Sequence, residues 1–316
     1  MLVVAALGGN ALLRRGEPAD AESQRRNIDV AVQALVEIAN EHQLIVTHGN
    51  GPQVGLLALQ SEAYTDVTPY PLDVLGAESE GMIGYLLEQG LENHLGYGRA
   101  ATLLTQVIVD PADPAFAAPT KFVGPVYERA EAERLAAVRG WQIAKDGAKW
   151  RRIVPSPEPQ RIVELEAIAT LIAADLIVVC VGGGGVPVMI DDHGGLHGVE
   201  AVIDKDLAAA MLATEIGADA LLLLTDVPGI QTGWGTPSAH ELRSVTVGEL
   251  PALGLPAGSM GPKAMAAARF AAGQGGFAAI GALEDAGAIL DGRAGTRIVG
   301  DDGSSPVSFD LHQATR

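Results

Sequence analysis

Leu2-Val3-Val4-Ala5-Ala6-Leu7, followed directly by Gly8-Gly9-Asn10, is the stretch that best indicates the fold. Six consecutive apolar residues are typical of a strand buried on both faces of a sheet, and glycines after such a strand are typical of a tight turn into a helix. The same alternation continues along the chain. Strands are predicted at 2–7, 44–47, 102–109, 176–181, 220–225, 277–281 and 296–299, and helices at 22–40, from about Pro52, at 160–174, 204–216 and 261–273. This order predicts an α/β fold, a three-layer αβα sandwich with an open, mostly parallel sheet.

The middle of the chain departs from this alternation. Residues 110–159 are rich in proline and charged residues and show no clean helical or strand period. We therefore expect a single domain over residues 1–316, with a small subdomain inserted at 110–154 that leaves the main sheet.

Composition excludes several classes of function. The chain has 21 Lys and Arg against 39 Asp and Glu, a formal net charge of −18. A nucleic-acid partner is not expected, because it would require a basic face. No apolar run reaches transmembrane length, so no membrane partner is expected either. The single cysteine, Cys180, excludes an internal disulfide and fits a reducing compartment, which favours the cytoplasm.

Three predicted strands end in glycine-rich turns. These turns are Gly8-Gly9-Asn10, Gly49-Asn50-Gly51 and residues 182–185. In open α/β sheets ligands bind beyond the carboxyl ends of the strands, and glycine lets backbone N–H groups approach an anion closely. Three such turns at matching positions indicate a phosphate or carboxylate site. The P-loop motif is absent, and the spacing around Gly49 does not fit the dinucleotide fingerprint.

Two lysines lie at predicted helix starts, where the helix dipole disfavours a cation. They are Lys205, which is flanked by Asp204 and Asp206, and Lys263, which follows a further glycine-bearing loop. A lysine directed at a bound phosphate and oriented by a carboxylate explains both positions. The glycine turns and the lysine pair together predict a small-molecule phosphotransferase.

Several motifs, taken in order, resemble carbamate kinase, a branch of the amino-acid-kinase superfamily. They are residues 6–12 (ALGGNAL), 47–55 (THGNGPQVG), 182–188 (GGGGVPV), 198–208 (GVEAVIDKDLA), 224–227 (LTDV) and 258–263 (GSMGPK). The resemblance implies reversible phosphoryl transfer between ATP and carbamate, giving ADP and carbamoyl phosphate, with Mg²⁺ carried on the nucleotide. It further implies a homodimer that makes ATP in arginine, agmatine or ureide breakdown, and a protruding subdomain that covers the substrate.

The resemblance also implies roles for individual residues. The catalytic set would be Lys205, Lys263, Asp206 and, from the subdomain, Lys121. The N-terminal part would hold carbamate and the transferred phosphoryl group through Gly8, Gly9, Asn10, Gly49, Asn50 and Gly51. Residues 160–316 would hold the nucleotide through Gly182, Gly183, Gly184, Thr225, Asp226, Met260 and Gly261. No protein ligand is assigned to the metal.

Other interpretations remain open at this point. A superfamily kinase for a carboxylate substrate is one alternative, and a catalytically silent nucleotide- or metabolite-sensing homologue is another. Phe122 and Val126 depart from the family pattern within the subdomain that would cover the substrate. Residues 227–237 also depart from it, so contacts to the adenine are not assigned. His48 adjoins the second glycine turn, and both packing and catalysis are open for it.

Overall fold

A computed structural model describes residues 1–13, 16–233, 239–256, 260–273 and 276–301. The strands are β1 (Leu2–Leu7), β2 (Gln43–His48), β3 (Ala100–Thr102), β4 (Gln106–Val109), β5 (Lys121–Tyr127), β6 (Gln142–Asp146), β7 (Lys149–Val154), β8 (Pro159–Ile162), β9 (Ile177–Val179), β10 (Val186–Ile190), β11 (Leu196–Gly198), β12 (Ala220–Thr225), β13 (Gln231–Thr232), β14 (His240–Glu241), β15 (Ser244–Thr246), β16 (Phe277–Ala282) and β17 (Thr296–Val299). The helices are α1 (Gly9–Leu12), α2 (Ala21–Ala39), α3 (Gly51–Ala63), α4 (Leu72–Leu95), α5 (Arg129–Arg139), α6 (Leu165–Ala173), α7 (Lys205–Glu215), α8 (Met260–Ala271) and α9 (Ala286–Leu290).

The main sheet has eight strands in the order β15-β17-β16-β12-β1-β2-β9-β3. Its centre is parallel throughout, because β1 pairs in parallel with both β12 and β2, and β2 pairs in parallel with β9. Among the described strands of this sheet, one pair is antiparallel, and it joins β16 and β17. The carboxyl ends of β12, β1, β2 and β9 therefore lie side by side at one edge.

Helices cover both faces of the main sheet. Along β1, Val4 and Ala6 belong to a core cluster with residues of α6, α7 and α8, while Val3, Ala5 and Leu7 belong to a second cluster with residues of α2, α4 and α9. All five side chains are fully buried, which is why the strand is apolar at every position. Burial of each larger apolar side chain contributes about 1.5–3 kcal/mol. The predicted three-layer αβα sandwich with a mostly parallel sheet is confirmed.

Within the described residues three smaller sheets accompany the main one: an antiparallel pair of β13 and β14, and two larger sheets. The first of these two has four strands in the order β11-β10-β4-β8, and the second has three antiparallel strands in the order β5-β7-β6. Helix α5 packs on β6 and β7, so residues 121–154 form a compact unit within the irregular middle of the sequence. A small apolar cluster joins this unit to α3 and α4, and it consists of Val54, Leu72, Leu75, Val123 and Val154.

Two predicted elements are wrong in their bounds. The single strand predicted at 102–109 is two strands, β3 in the main sheet and β4 in the four-stranded sheet. The helix predicted at 160–174 begins only at Leu165, because residues before it form β8, which pairs antiparallel with β4. Ile162 is buried in that strand, although its spacing from Leu165 and Ile168 fits one face of a helix equally well.

Helix α4 was not predicted, although it spans 24 residues. Its glycines interrupt the apolar period, and two of them serve close packing. A Cβ at Gly84 would lie 2.3 Å from Thr102 Cγ2, and a Cβ at Gly90 would lie 2.7 Å from Val32 Cγ2. Of the helices in the described ranges, none combines the length and the apolar character that crossing a membrane requires.

Candidate active site

The first two glycine turns meet at the carboxyl ends of β1 and β2. Gly49 N donates to Leu7 O at 2.9 Å, which places the second turn beside the first. A Cβ at Gly49 would lie 2.9 Å from Gly9 N and 3.3 Å from Lys205 Cδ. A side chain would therefore force these groups apart, so glycine is required for their approach. Helix α3 begins at Gly51, and Asn10 is the second residue of α1.

The third turn, Gly182–Gly184, follows β9 and packs on the second. Gly183 has φ +67° and Gly184 has φ +97°, both in the left-handed region that favours glycine. A Cβ at Gly183 would lie 2.0 Å from Asn50 Nδ2. That amide nitrogen donates to Ser79 Oγ of α4 at 2.8 Å. The three turns thus contact one another in a chain, and α4 supports them from behind.

The two predicted lysines converge on one carboxylate. Lys205 is the first residue of α7, and Lys263 lies in the first turn of α8. Lys205 Nζ donates to Asp206 Oδ1, and Lys263 Nζ donates to Asp206 Oδ2 at 2.9 Å. The side chains are 14%, 16% and 7% exposed for Lys205, Lys263 and Asp206. The structure brings these three residues together beside Gly49.

Burial and mutual attraction set the charges of this group. Burial alone would raise the pKa of Asp206, but the Lys205 and Lys263 ammonium groups overcome that effect and hold it well below its ordinary value. The pKa of Lys205 is lowered to about 8, chiefly by burial; Asp206 opposes this shift, and the Lys263 charge adds to it. Because Asp206 is a carboxylate at neutral pH, it keeps two cations fixed next to the glycine turns.

Lys121 reaches the same region from β5. Its Nζ donates to Asp204 Oδ2 at 2.7 Å. The other oxygen of Asp204 accepts the backbone N–H groups of Asp206 and Leu207 at 2.9 Å and 3.3 Å, so the residue is also the N-cap of α7. Burial would raise the pKa of Asp204, but Lys121 lowers it below its ordinary value. In the sequence Asp204 is only a residue that flanks Lys205, and its contact with the inserted unit was not predicted.

The predicted nucleotide residues lie on the strands and helices next to this cluster. Thr225 ends β12 and its hydroxyl donates to Asp226 Oδ1 at 3.1 Å. Gly8 N donates to Leu224 O at 2.9 Å, so the end of β12 adjoins the first glycine turn. Met260 and Gly261 begin α8, which carries Lys263. Residues 258–259 of the quoted GSMGPK motif and 234–237 of the divergent run lie outside the described residues.

The acidic groups of the site have a further consequence for metal binding. Over the described ranges, no group of three or more His, Cys, Asp or Glu side chains is arranged to hold a metal ion. Both oxygens of Asp206 bind ammonium groups. In this arrangement Asp206 therefore has no oxygen that is not bound to a lysine.

Residues 1–279 match the family model described as the amino acid kinase family. The chain belongs to the amino acid kinase family. More specifically, it is similar over nearly its whole length to proteins named carbamate kinase. The relative from Haemophilus influenzae is 52% identical over 299 residues, covering 94% of this chain and 96% of that protein, and the relative from Rhizobium meliloti is 54% identical over 301 residues, covering 94% and 93%. The chain therefore belongs to the carbamate kinase branch of the family.

A solved structure supports the same assignment. Carbamate kinase from Giardia lamblia bound to AMP-PNP superposes with a TM-score of 0.88 at 40% identity, covering 95% of this chain and 98% of that one. A UMP kinase from Bacillus anthracis, at 16% identity and a TM-score of 0.54, shares the fold alone. Kinases that use ATP generally require a divalent metal.

Proposed function

We propose that this chain catalyses reversible phosphoryl transfer between ATP and carbamate, giving ADP and carbamoyl phosphate. The observation that carries the proposal is the buried Lys205–Asp206–Lys263 cluster against Gly49, in a chain about half identical to carbamate kinases. Two fixed ammonium groups beside anion-binding turns are suited to a transferring phosphoryl group.

The chemistry requires positioning and charge neutralisation. Carbamate is already an anion with a nucleophilic oxygen, so no general base is assigned. Backbone N–H groups of Gly8, Gly9 and Asn10 and of the turn at 49–51 would hold carbamate and the transferred phosphate. Lys205 and Lys263 would neutralise the phosphate oxygens as negative charge builds on them in the transition state, and Asp206 would keep both ammonium groups directed at that point.

The nucleotide is assigned to the C-terminal part of the site. Residues 160–316 supply Gly182, Gly183 and Gly184, together with Thr225, Asp226, Met260 and Gly261. These residues adjoin the carboxyl ends of β9 and β12 and the start of α8. The relative from Giardia lamblia was solved bound to AMP-PNP, which supports a nucleotide as ligand of this chain. The location is proposed because ligands of open α/β sheets bind beyond the carboxyl ends of the strands.

The inserted subdomain, residues 110–154, is assigned to cover the substrate. Lys121 lies at the start of β5 and contacts Asp204 at 2.7 Å. The ion pair joins the subdomain sheet to the first turn of α7, next to Lys205. We assign Lys121 to the phosphoryl group when substrate is bound, because its ammonium group is the subdomain's cation at this junction.

Mg²⁺ is the metal that best fits the residues present. It binds substrate phosphates with few protein ligands and keeps several waters, and here both oxygens of Asp206 are taken by lysines. A bound metal would offset the negative charge of the phosphates. The residues of the chain would therefore hold the metal through a bound nucleotide.

The cellular setting is proposed from the branch to which the chain belongs. We assign a cytoplasmic homodimer that makes ATP at the end of arginine, agmatine or ureide breakdown. Light scattering of the purified protein tests the dimer directly: a monomer mass at micromolar concentration would contradict it.

One assay separates the proposal from its two alternatives. The purified protein is mixed with ADP, Mg²⁺ and carbamoyl phosphate, and ATP is followed; acetyl phosphate and glutamyl phosphate serve as parallel substrates. We expect ATP from carbamoyl phosphate at the highest kcat/KM. Turnover confined to a carboxylate phosphate would identify a carboxylate kinase, and nucleotide binding without turnover would identify a silent homologue.

Substitution of Lys263 tests the role of the Lys205–Asp206–Lys263 cluster. K263A removes one of the two buried cations, and the loss of one transition-state donor costs about a hundredfold to a thousandfold in kcat. K145A is the matched control, because Lys145 is an exposed lysine on β6 of the subdomain. Equal turnover in K263A and K145A would remove Lys263 from the catalytic set.

A further inference from the structure

Strand β5, which begins at Lys121, contains a bulge. Gly124 and Pro125 stand opposite the junction of Arg151 and Arg152 on β7, where the register of the strand pair shifts. Gly124 has φ +70°, in the left-handed region that favours glycine, and Pro125 has no N–H to donate. The strand therefore leaves regular pairing three residues after Lys121.

The guanidinium group of Arg151 holds this bulge. Its Nε donates to the carbonyl oxygen of Gly124 at 2.6 Å, and its Nη1 lies 3.4 Å from Asp146 Oδ2 at the end of β6. The Arg151 side chain is 28% exposed, so the bond to Gly124 is partly shielded from water. A charged donor makes a stronger hydrogen bond than a neutral one, and a planar guanidinium can direct two N–H groups at once. Arg151 thus gives the Gly124 carbonyl a partner where the strand ladder is interrupted.

The bulge is a point at which the subdomain contacts α3, the helix whose first turn is assigned to substrate. A Cβ at Gly55 would lie 3.2 Å from Gly124 Cα, so the approach of the two backbones depends on a bare glycine. Gly55 lies four residues after Gly51, the first residue of α3, which is about 6 Å along the helix axis. Lys121 lies three residues before Gly124, which is about 10 Å along the strand. The contact between Gly55 and Gly124 therefore fixes one end of a short segment whose other end carries Lys121.

Other contacts hold the subdomain independently of the bulge. Arg152 Nη2 donates to Glu200 Oε1, and Glu200 Oε2 accepts the N–H of Leu72, the first residue of α4, at 2.9 Å. Arg139 of α5 forms an ion pair with Glu62 of α3. Loss of the bond at the bulge should therefore leave the subdomain attached to the rest of the domain, while the strand that begins with the subdomain's lysine is no longer fixed against α3.

We propose that Arg151 is a positioning residue for Lys121. By holding the bulge at Gly124 against Gly55, it sets the distance between the Lys121 ammonium group and the turn that begins α3. That ammonium group binds Asp204 at the start of α7, so it lies between the subdomain and the lysine cluster. A displacement of about 1 Å at a positioned group can cost about a hundredfold in rate. The inference rests on the proposed function, which assigns Lys121 to the phosphoryl group.

A double-mutant cycle with Lys121 separates this role from a direct contact of Arg151 with the substrate. We expect R151A to lower kcat for ATP formation from carbamoyl phosphate by about tenfold to a hundredfold, with KM for ADP unchanged within about twofold. In the K121A background the same substitution should have no further effect on kcat, because the group that it positions is gone. R134A is the matched control, since Arg134 is an exposed arginine of the same subdomain, paired with Glu131. A loss of kcat as large with K121A as without it, or R151A as active as R134A, would overturn the proposal.

G55A tests the same contact from the side of α3, and it decides the matter if R151A fails to fold. The added Cβ would lie 3.2 Å from Gly124 Cα, so the bulge must move away from the helix. Because this shift is smaller than 1 Å, we expect kcat to fall by about threefold to tenfold, and again only where Lys121 is present. In that case, a G55A enzyme with the kcat of wild type would overturn the proposal.

Hydrogen exchange gives a readout that does not depend on turnover. The amide protons of β5 should exchange at least about tenfold faster in R151A than in R134A, whereas those of β12 in the main sheet should exchange alike in both. Equal exchange of β5 in the two variants would overturn the proposal. If the wild type makes no ATP from carbamoyl phosphate, the proposed function fails, whereas the exchange rates still decide whether Arg151 holds the strand that carries Lys121.

Discussion

Replacing Asp206 by Asn removes the negative charge that Lys205 and Lys263 share, with almost no change of shape. The carboxylate is 7% exposed and both of its oxygens accept from ammonium groups, so little solvent screens the loss. Removing one partner of a buried ion pair costs about 3–5 kcal/mol in the free energy of unfolding. An ammonium left without its partner can release its proton, which limits the loss of stability but removes a cation that the phosphoryl group needs. We therefore expect D206N to lower kcat by at least about a hundredfold.

Urea denaturation at neutral pH and ATP formation from carbamoyl phosphate measure the two effects. The pKa of Asp206 is lower in the folded than in the unfolded chain, so its stabilisation is complete above the ordinary value of 3.8 and is lost as the pH falls below it. D291N is the control, because its pair with Arg293 is 59% and 68% exposed and contributes about 0–1 kcal/mol. If D206N and D291N unfold at the same urea concentration and D206N keeps its turnover, the role of Asp206 as the carboxylate that fixes Lys205 and Lys263 is refuted.

Three further predictions concern other parts of the site. D204N keeps the cap of α7 but loses the ion pair with Lys121, so KM should rise with little loss of stability, whereas D204A should lose about 1 kcal/mol more in urea denaturation. Because Lys205 has a pKa of about 8 and acts as an ammonium, kcat/KM should fall as the pH rises through about 8; a flat profile to pH 9.5, roughly one and a half units higher, would contradict its role. G183A should raise KM for ADP and lower the free energy of unfolding by more than about 2 kcal/mol, since φ is +67° and Asn50 occupies the position of the added Cβ. G147A is the control: φ there is +61° and the surrounding space is open, so the same denaturation should show a loss of only about 1–2 kcal/mol.

The elements predicted well from the sequence are those marked by a short local pattern, such as an apolar run, a helix-capping residue or glycines after a strand. Strand β1 is apolar at every position because both faces are covered, and its bounds were predicted correctly. Helix α7 begins where Asp204 caps it, one residue from the predicted start. The glycine turns were placed at the correct strand ends for the same reason: a change from apolar run to glycine is a local signal.

What could not be predicted depends on contacts between distant segments. The glycines of α4 hide its period, and Gly84 shows why they are there: a side chain would strike Thr102. The lysine pair was identified from helix starts, and the family resemblance implied that Asp206 holds both ammonium groups. The residue pattern alone does not predict the bond from Lys263, because it depends on the packing of α8 against α7.

The electrostatics of the site explain why the orientation of the lysine ammonium groups matters more than the net positive charge of the cluster. Lys121, Lys205 and Lys263 face Asp204 and Asp206, so the cluster has a formal excess of only one positive charge in a chain of −18. Charges beyond a Debye length of about 8 Å are screened at physiological salt, and the net field would repel an anionic substrate in any case. Attraction must therefore come from contacts, namely from neutral backbone N–H groups and from lysines whose direction two carboxylates fix. Carboxylates that lower the net charge still favour catalysis, because donors already aligned with the developing charge need no reorganisation at the moment of transfer.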